Sequence, residues 1–248
     1  MKQLITINKR QTEILIFLYR FRFLTRLQIQ NLLTHKSHSK IIVWLNQMVK
    51  LKLVSKHQTS STVTAYYSLG TIGRKYLITQ KLVKKTLPLN RIWREASYSI
   101  TFREKCSFIA DLYLQLLAQW GGALRFWTKT DLAGISHVIS PAPDAYIVIN
   151  QKSEADRFFV EIPSTPRTKN IIDHIERYAE YYYSNEWQEN VSKDFPKIII
   201  ISANKSANKA ANRYIKENYA DEPDLRFRVA ISDRAIAELQ PKKKARGN

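Results

Sequence analysis

The chain has 248 residues, of which 44% are hydrophobic and 11% aromatic, and it carries a formal net charge of +19. This composition excludes a wholly disordered chain and leaves room for one large domain or two smaller ones. Cys106 is the only cysteine, which excludes an internal disulfide and a cysteine-based zinc site. It lies in a helical apolar pattern and is predicted to be a small buried hydrophobe.

Neither the first ten residues nor any apolar run predicts a secretory signal or a membrane-spanning segment. No run reaches the roughly 18–20 apolar residues needed to cross a bilayer. Residues 1–10 lack the long apolar stretch and small-residue cleavage site of a secretory signal. We therefore expect a soluble, cytoplasmic protein with no membrane partner.

Most of the positive charge lies at the front of the chain. Residues 1–95 contain 18 Lys+Arg and only two acids, Glu13 and Glu95, whereas residues 96–240 are close to neutral. Charge concentrated in one segment indicates a polyanionic partner, either nucleic acid or an anionic membrane surface. Of the two, double-stranded DNA is the predicted partner.

Residues 8–80 predict three helices, a hairpin and a further helix. Asn8 is a candidate cap for the first helix, and Thr25 with Gln28 forms a capping-box pattern for a short second helix through Leu33. A third helix is predicted from about Ser39 to Leu51. The apolar positions at helical spacing are Ile14, Leu15, Leu18 and Phe21 in the first helix, and Ile41, Ile42, Leu45, Met48 and Val49 in the third.

Two β-prone runs follow, at residues 53–56 and 62–69, around the polar link 57–61, and Thr71 is a candidate cap for the next helix. This is the winged-helix order, in which the third helix enters the DNA major groove. The predicted DNA contacts are Arg10, Arg26, Ser39, Lys40, Gln47, Lys50, Lys56 and Thr59. A winged helix used for protein contacts, with a solvated basic face, is the alternative.

The predicted domain organisation has four parts. A winged helix-turn-helix domain occupies residues 1–80, and a basic linker containing Pro88 occupies residues 81–90. An α/β domain is predicted over residues 91–240, followed by a disordered basic tail at 241–248 that adds nonspecific affinity for phosphate.

The rear domain alternates helices and strands around a mixed central sheet. One or two helices are predicted from Ile92 to Trp120, ended by Gly121–Gly122, and residues 198–201 are apolar on both faces, as in the middle of a covered sheet. Strands are predicted at 124–128, 145–150, 157–162, 197–202 and 226–231, and helices at 168–183, 206–219 and 233–239.

Asp144 begins the second of these strands and Glu161 lies near the end of the third. Adjacent antiparallel strands would bring the two carboxylates together, which is the geometry of a Mg²⁺ site for phosphodiester hydrolysis. The order of elements resembles the PD-(D/E)xK nuclease core. That pattern places a lysine two positions after the glutamate, where this chain has Pro163; Lys169 is the candidate substitute. Alternatively, the two acids only cap helices or stabilise the fold.

The chain resembles the replication-relaxation family over about residues 8–235. The resemblance is carried by a basic winged helix, a long helix, Pro143-Asp144-Ala145, Val160-Glu161-Ile162 and a helix with Tyr178. It implies a degenerate PD-(D/E)xK fold and DNA binding in plasmid replication, mobilisation or its control. The family's acid-x-Asp pattern is replaced here by Glu161-Ile162-Pro163, which weakens any metal site.

No glycine-rich phosphate loop or histidine pair of zinc spacing is present. Together with the resemblance, which implies a plasmid or mobile element, this gives the hypothesis of a non-enzymatic DNA-binding protein that positions DNA and protein partners without a cofactor. The alternatives are a metal-dependent endonuclease using Asp144, Glu161 and Lys169, and a winged-helix transcriptional regulator. Tyr181–Tyr183 with Trp187 are predicted to form an exposed patch for a protein partner or self-association.

Overall fold

The computed structural model describes residues 7–83, 98–151 and 155–239. The chain divides into two compact units, Met1–Leu114 and Gln115–Asn248. Most of the predicted linker and the whole predicted tail lie outside the described residues, so the predicted boundary at 81–90 stays a prediction. The predicted mixed α/β class is confirmed.

Three helices form the core of the first unit. They are α1 (Lys9–Phe21), α2 (Arg26–Leu32) and α3 (His38–Lys50). Both α1 and α2 begin with a full capping box, Asn8 with Gln11 and Thr25 with Gln28. The sequence predicted the cap Asn8 and the Thr25–Gln28 box, whereas the part played by Gln11 was not predicted. The four predicted apolar residues of α1 are all buried.

The stripe predicted for α3 needs two corrections. Trp44 is buried and belongs to the stripe, whereas Ile42 is exposed. The α-helical period explains both, since Trp44 lies one turn from Ile41 and Met48. The helix begins at His38 with Ser37 as its cap, one residue earlier than predicted.

A small antiparallel sheet completes the first unit in the order β1-β3-β2. Its strands are β1 (Leu24–Thr25), β2 (Val54–His57) and β3 (Tyr66–Leu69). Residues 62–65, predicted as strand, instead belong to the loop 58–65 between β2 and β3. A turn in which Val63 N donates to Ser60 O and Gln58 Nε2 donates to Val63 O holds this loop.

Helix α4 (Thr71–Thr79) follows β3, and its cap is Gly70 rather than the predicted Thr71. A Cβ at Gly70 would lie 2.4 Å from Lys52 O, and one at Gly73 would lie 2.2 Å from Leu53 O. Only glycine permits this approach of α4 to the residues before β2. The start of α5 (Ile100–Trp120) also packs in the first unit, where Gln28 Nε2 donates to Ser107 O and Asp111 Oδ1.

The second unit is built on a five-stranded sheet in the order β4-β5-β6-β7-β8. The strands are β4 (Leu124–Thr128), β5 (Ala145–Asn150), β6 (Ala155–Glu161), β7 (Lys197–Ile201) and β8 (Phe227–Ala230). β5 is antiparallel to β4 and β6, while β6, β7 and β8 run parallel. The carboxyl ends of β4, β6, β7 and β8 therefore share one edge. Residues 198–201 are buried, as predicted.

Helices α6 (Thr168–Tyr183), α7 (Glu186–Val191), α8 (Lys205–Asn218) and α9 (Ser232–Ala237) complete the second unit. The six-residue helix α7 was not predicted. Its Trp187 is buried against Phe159 and Phe195, and its indole Nε1 donates to Lys193 O.

The predicted exposed patch is wrong in its composition. Tyr181 and Trp187 are buried, and Tyr181 donates its hydroxyl to His137 O. Only Tyr183 is largely exposed, at 54%. The amphipathic period of α6 turns Tyr181 inward, and the α7 turn brings Trp187 into the same core.

Over the described residues, no helix is both long enough and apolar enough to cross a membrane.

Candidate functional site

The exposed face of α3 is a defined stripe of four residues. Ile41, Trp44, Leu45 and Met48 are buried on one side of the helix. At 100° per residue, the positions opposite this buried side are Ser39, Val43, Asn46 and Lys50, and all four are exposed. We call these four residues the α3 stripe. Val43 is 61% exposed, which leaves its two methyl groups available to a ligand.

Lys40 and Gln47 flank the α3 stripe. Gln47 Oε1 accepts a hydrogen bond of 3.0 Å from Nε2 of the buried Gln11, whose own Oε1 accepts from Asn8 N. This chain of bonds fixes the Gln47 amide and turns its NH₂ group away from Gln11. The Lys40 ammonium lies 6.0 Å from the Trp44 ring centroid. The Lys40 and Gln47 side chains are therefore each restricted to a few conformations before any ligand binds.

The other predicted DNA contacts are spread over the first unit. Lys56 is exposed on β2, and Thr59 is exposed in the loop 58–65. Arg10, on the first turn of α1, pairs with Glu13 at 2.8 Å. Arg26, which begins α2, donates to Gln30 Oε1. Glu13 offsets part of the charge of Arg10, and the bond to the neutral Gln30 amide restricts the reach of Arg26 toward a phosphate.

Neither Asn46 nor Val43 is among the DNA contacts predicted from the sequence. The period of α3 contains the signal, because Asn46 lies one turn from Val43 and from Lys50. A carboxamide can pair with adenine through a donor and an acceptor, and an aliphatic side chain can contact the thymine methyl. The α3 stripe thus combines side chains of the kinds that read base edges, a carboxamide and an aliphatic group, with a lysine of the kind that contacts phosphate.

His57, at the end of β2, is not part of the positive surface. Burial and the nearby positive charge of Arg103 lower the pKa of His57 to about 4. Its Nε2 lies 2.8 Å from Ser68 Oγ, and its ring contacts Phe23 edge to face. The imidazole is therefore neutral at physiological pH and serves the packing of the small sheet.

The lowered pKa of His57 predicts an acid-labile first unit. The folded state disfavours the proton, so stability is present above the ordinary pKa of 6.5 and is lost as the pH falls toward 4. Hydrogen exchange of first-unit amides should accelerate over this range, and His57→Gln should reduce the change. His38→Gln, at an exposed position on α3, is the control. An unchanged pH profile in His57→Gln would contradict the assignment.

Asp144 and Glu161 lie side by side in the second unit. Ala145 pairs with Val160 in the antiparallel β5–β6 register, which places Asp144 directly opposite Glu161 at the shared sheet edge. The side chains are only 5% and 3% exposed. Directly opposed residues of an antiparallel pair project from the same face of a sheet.

Each carboxylate already has protein partners. Asp144 Oδ2 accepts from Ile162 N at 2.9 Å, and Asp144 Oδ1 lies 3.9 Å from Lys129 Nζ. Glu161 Oε1 accepts from Arg177 Nη2 at 2.5 Å and from the buried Tyr178 hydroxyl at 2.9 Å. We call these residues, together with His174, the carboxylate cluster.

Two opposing effects act on Glu161. Burial and the negative charge of Asp144 raise its pKa, while Arg177, Lys129 and the Tyr178 hydroxyl lower it. Burial prevails and the pKa rises to about 7. Because Oε1 accepts both hydrogen bonds, the proton is expected on Oε2, which lies 3.8 Å from His174 Nδ1.

The donor set does not fit a divalent cation. Within the described ranges, no group of three or more His, Cys, Asp or Glu side chains could hold a metal ion. One oxygen of each acid is committed to a protein donor, and a cationic Lys129 or Arg177 lies where a metal would otherwise neutralise the pair. Mg²⁺ also prefers octahedral oxygen coordination with several retained waters, which a buried cluster with cationic neighbours disfavours.

Lys169, the predicted substitute lysine, is exposed on the first turn of α6. The cationic side chains that the structure brings to the carboxylates are Lys129 and Arg177. Lys129 follows β4, which ends in a turn where Asp131 Oδ2 accepts from Thr128 N. A signal for Lys129 was available, since it follows a strand parallel to β6 at the same sheet edge.

A cleft of about 450 Å³ adjoins the carboxylate cluster. His174 and Arg177 form one side, and the loop after β6 forms the other through Pro163, Ser164 and Thr165. Pro163 itself is buried, so its ring closes the position that a lysine occupies in the active nuclease pattern.

The sequence of this chain matches the model of one protein family. A sequence model described as replication-relaxation matches residues 15–198. No curated protein matches the chain.

Among solved structures, the restriction endonuclease FokI matches with 12% identity and a TM-score of 0.36, over 93% of this chain and 43% of that one. The structure of FokI bound to DNA matches with 14% identity and a TM-score of 0.30, over 93% of this chain and 44% of that one. The chain thus spans less than half the length of these proteins, and similarity this weak establishes no shared activity.

Proposed function

The chain belongs to the replication-relaxation family, and from this membership we propose that it is a non-enzymatic DNA-binding protein of a plasmid or mobile element. It acts in replication, mobilisation or its control by positioning DNA and protein partners. The observation that carries the proposal is the α3 stripe, an exposed helix face opposite the core of a strongly basic unit.

The charge of the first unit supports a nucleic-acid partner. Residues 1–114 contain 20 Lys+Arg against four acids, so the first unit holds most of the net charge of +19. Ion pairing within the unit consumes little of this excess, because so few acids are available. Lysine and arginine contacts to phosphate provide salt-dependent affinity, and groups on the inserted helix provide sequence preference.

The arrangement of α1, α2 and α3 supports insertion of α3 into the major groove. A groove about 12 Å wide accepts one α-helix with its side chains. In the winged-helix order, α3 enters the groove and the hairpin lies along the backbone. Lys56 and Thr59 then contact phosphates from the β2–β3 hairpin, while Ser39, Asn46 and Gln47 reach base edges.

The carboxylate cluster supports a role without hydrolysis. Hydrolysis by a PD-(D/E)xK site requires free carboxylate oxygens for a metal and a lysine beside it. Here Arg177 and Tyr178 hold Glu161, Ile162 N holds Asp144, and Pro163 replaces the lysine. The cluster instead fastens α6 to the sheet.

Incubation of the full chain with supercoiled plasmid and linear DNA in Mg²⁺ or Mn²⁺ tests the proposal. We expect no cleavage, together with retained duplex binding in Asp144→Asn and Glu161→Gln. These substitutions keep the side-chain volume and remove the charge. Cleavage by the natural chain that both substitutions abolish would replace this proposal with the metal-dependent endonuclease.

A further inference from the structure

A second cleft, of about 320 Å³, lies at the carboxyl end of β8. Lys205 and Lys209 line it from α8, Arg228 from β8, and Arg234 from α9. Asn208 and Asn212 complete the wall on α8. Among the residues that the structure describes, no acidic side chain lines the cleft. We call it the basic cleft.

Three of the four cations in the basic cleft keep their charge available. Arg228 pairs with Glu238, its Nε lying 3.3 Å from Oε1. Lys205, Lys209 and Arg234 are exposed. None of the three forms an ion pair with another described residue. The 14-residue helix α8 also directs the positive end of its dipole toward Lys205.

Two amide hydrogen bonds hold the walls of the basic cleft. Asn208 Nδ2 donates to Ser202 O at 2.9 Å, and Asn212 Nδ2 donates to Val229 O at 2.9 Å. These bonds tie α8 to the ends of β7 and β8, so the two lysines project from a fixed support. Preorganised charges lose less conformational entropy on binding than charges on a mobile loop.

The basic cleft shares a sheet edge with the carboxylate cluster. Glu161 is level with Ile200 on β7, and Ile200 is level with Val229 on β8, which lines the cleft. Two strand spacings, about 10 Å, therefore separate the Glu161 backbone from the cleft wall. Positive charge therefore lies on both sides of Asp144 and Glu161 along this sheet edge, from the basic cleft on one side and from Lys129 on the other.

From the cavity, the three available cations and the fixed support, we propose that the basic cleft binds a phosphodiester of the DNA backbone. This gives the second unit its own contact with nucleic acid and makes DNA binding by the full chain bivalent. The ligand is a phosphodiester, a monoanion that belongs to a chain of phosphates. Three cations on one concave surface fit such a chain better than they fit a single small anion. Linked contacts raise the overall affinity through the effective concentration of the second site.

The triple variant Lys205→Ala/Lys209→Ala/Arg234→Ala tests this site. Its control, Lys193→Ala/Lys216→Ala/Arg226→Ala, removes the same charge from exposed positions of the second unit that do not line the cleft. Duplex binding is measured over a range of salt concentrations, in the natural background and with Lys40→Ala/Lys50→Ala. The cleft variant should lower the salt slope by about two to three, because each lost phosphate contact removes about 0.9. The control should change the slope by less than one.

Equal slopes in the cleft and control variants, with both folded by circular dichroism, would overturn the proposal. A second measurement follows the α8 amide resonances during titration with inorganic phosphate and with duplex DNA. Shifts at residues 205–209 with duplex support the site, whereas shifts with inorganic phosphate alone would assign the cleft to a small ligand and refute the DNA contact. The Lys40→Ala/Lys50→Ala background separates this result from failure of the first unit to bind.

Discussion

Replacing Lys40 and Lys50 with alanine is expected to weaken duplex binding by roughly 10- to 100-fold at moderate salt. The two lysines lie on the exposed side of α3, and each phosphate contact contributes about 0.9 to the slope of log affinity against log salt. The slope should therefore fall by about two, and the loss should be similar for all DNA sequences. Binding isotherms at several salt concentrations measure both quantities.

Lys75→Ala/Lys81→Ala is the matched control. Lys75 lies in α4 and Lys81 lies just after it, and both are exposed. Their replacement removes the same charge from the same unit as Lys40→Ala/Lys50→Ala. If Lys40 and Lys50 contact DNA specifically, the control should reduce the affinity and the salt slope clearly less than Lys40→Ala/Lys50→Ala does. Equal losses in the two double variants would indicate only a diffuse attraction between DNA and a basic surface.

Val43→Ala and Asn46→Ala should have the opposite effect to the lysine substitutions, changing sequence preference and not the salt slope. These side chains carry no charge, so the salt slope should stay constant while preference among sequences decreases. Loss of a bidentate base contact from Asn46 should cost about 1–3 kcal/mol at the preferred site, and Val43→Ala should lose only an apolar contact with a thymine methyl group. Selection from a random duplex pool with the natural chain identifies the preferred site, and competition between that site and a scrambled duplex measures the preference.

The helices of the first unit follow from local sequence because capping and apolar period act over a few residues. The cap Asn8 and the Thr25–Gln28 pair, three residues apart, were both predicted from the sequence. The exposure of Ile42 and the burial of Trp44 depend instead on where α3 meets the other helices, which a stripe with five apolar candidates does not decide.

The opposition of Asp144 and Glu161 was predictable because strand ends and antiparallel order are local signals. The partners of Glu161 were not. Arg177 and Tyr178 lie 16 and 17 residues after Glu161, on a helix whose rotation about its axis decides which side chains face β6. Lys129, which follows β4, had a sequence signal in its place at the shared sheet edge, but its approach to Asp144 depends on the order of the strands. A site formed by β4, β5, β6 and α6 depends on tertiary contacts that spacing along the chain does not encode.

The basic cleft likewise could not be predicted from the sequence. Lys205, Lys209 and Arg234 read in sequence as ordinary exposed cations on two separate helices. They become a site only because β7 and β8 are parallel neighbours, so that the start of α8 and the start of α9 lie at the same sheet edge.

Arg177→Met should destabilise the second unit strongly at high pH and much less at low pH. Removing one partner of a buried ion pair costs about 3–5 kcal/mol, because the remaining charge loses its compensation. Glu161 has an alternative, since burial and Asp144 already raise its pKa to about 7, and loss of Arg177 raises it further. At about pH 5 the carboxyl is protonated and the penalty largely disappears.

The sign of this effect follows from proton binding. The folded pKa of Glu161 lies above its ordinary value of 4.5, so the folded state holds the proton more tightly. Stability is therefore present at low pH and is lost as the pH rises through about 7. The natural chain should show a modest decrease across this range in the second unit, and Arg177→Met should show a steeper one that extends to higher pH.

A double variant separates lost charge from lost packing. Glu161→Gln in the Arg177→Met background removes the uncompensated charge, and the new amide oxygen can still accept from the Tyr178 hydroxyl. We expect the double variant to be more stable than Arg177→Met at about pH 8, as measured by chemical denaturation. Equal destabilisation by Arg177→Met at both pH values, with no recovery in the double variant, would mean that Arg177 acts through packing alone.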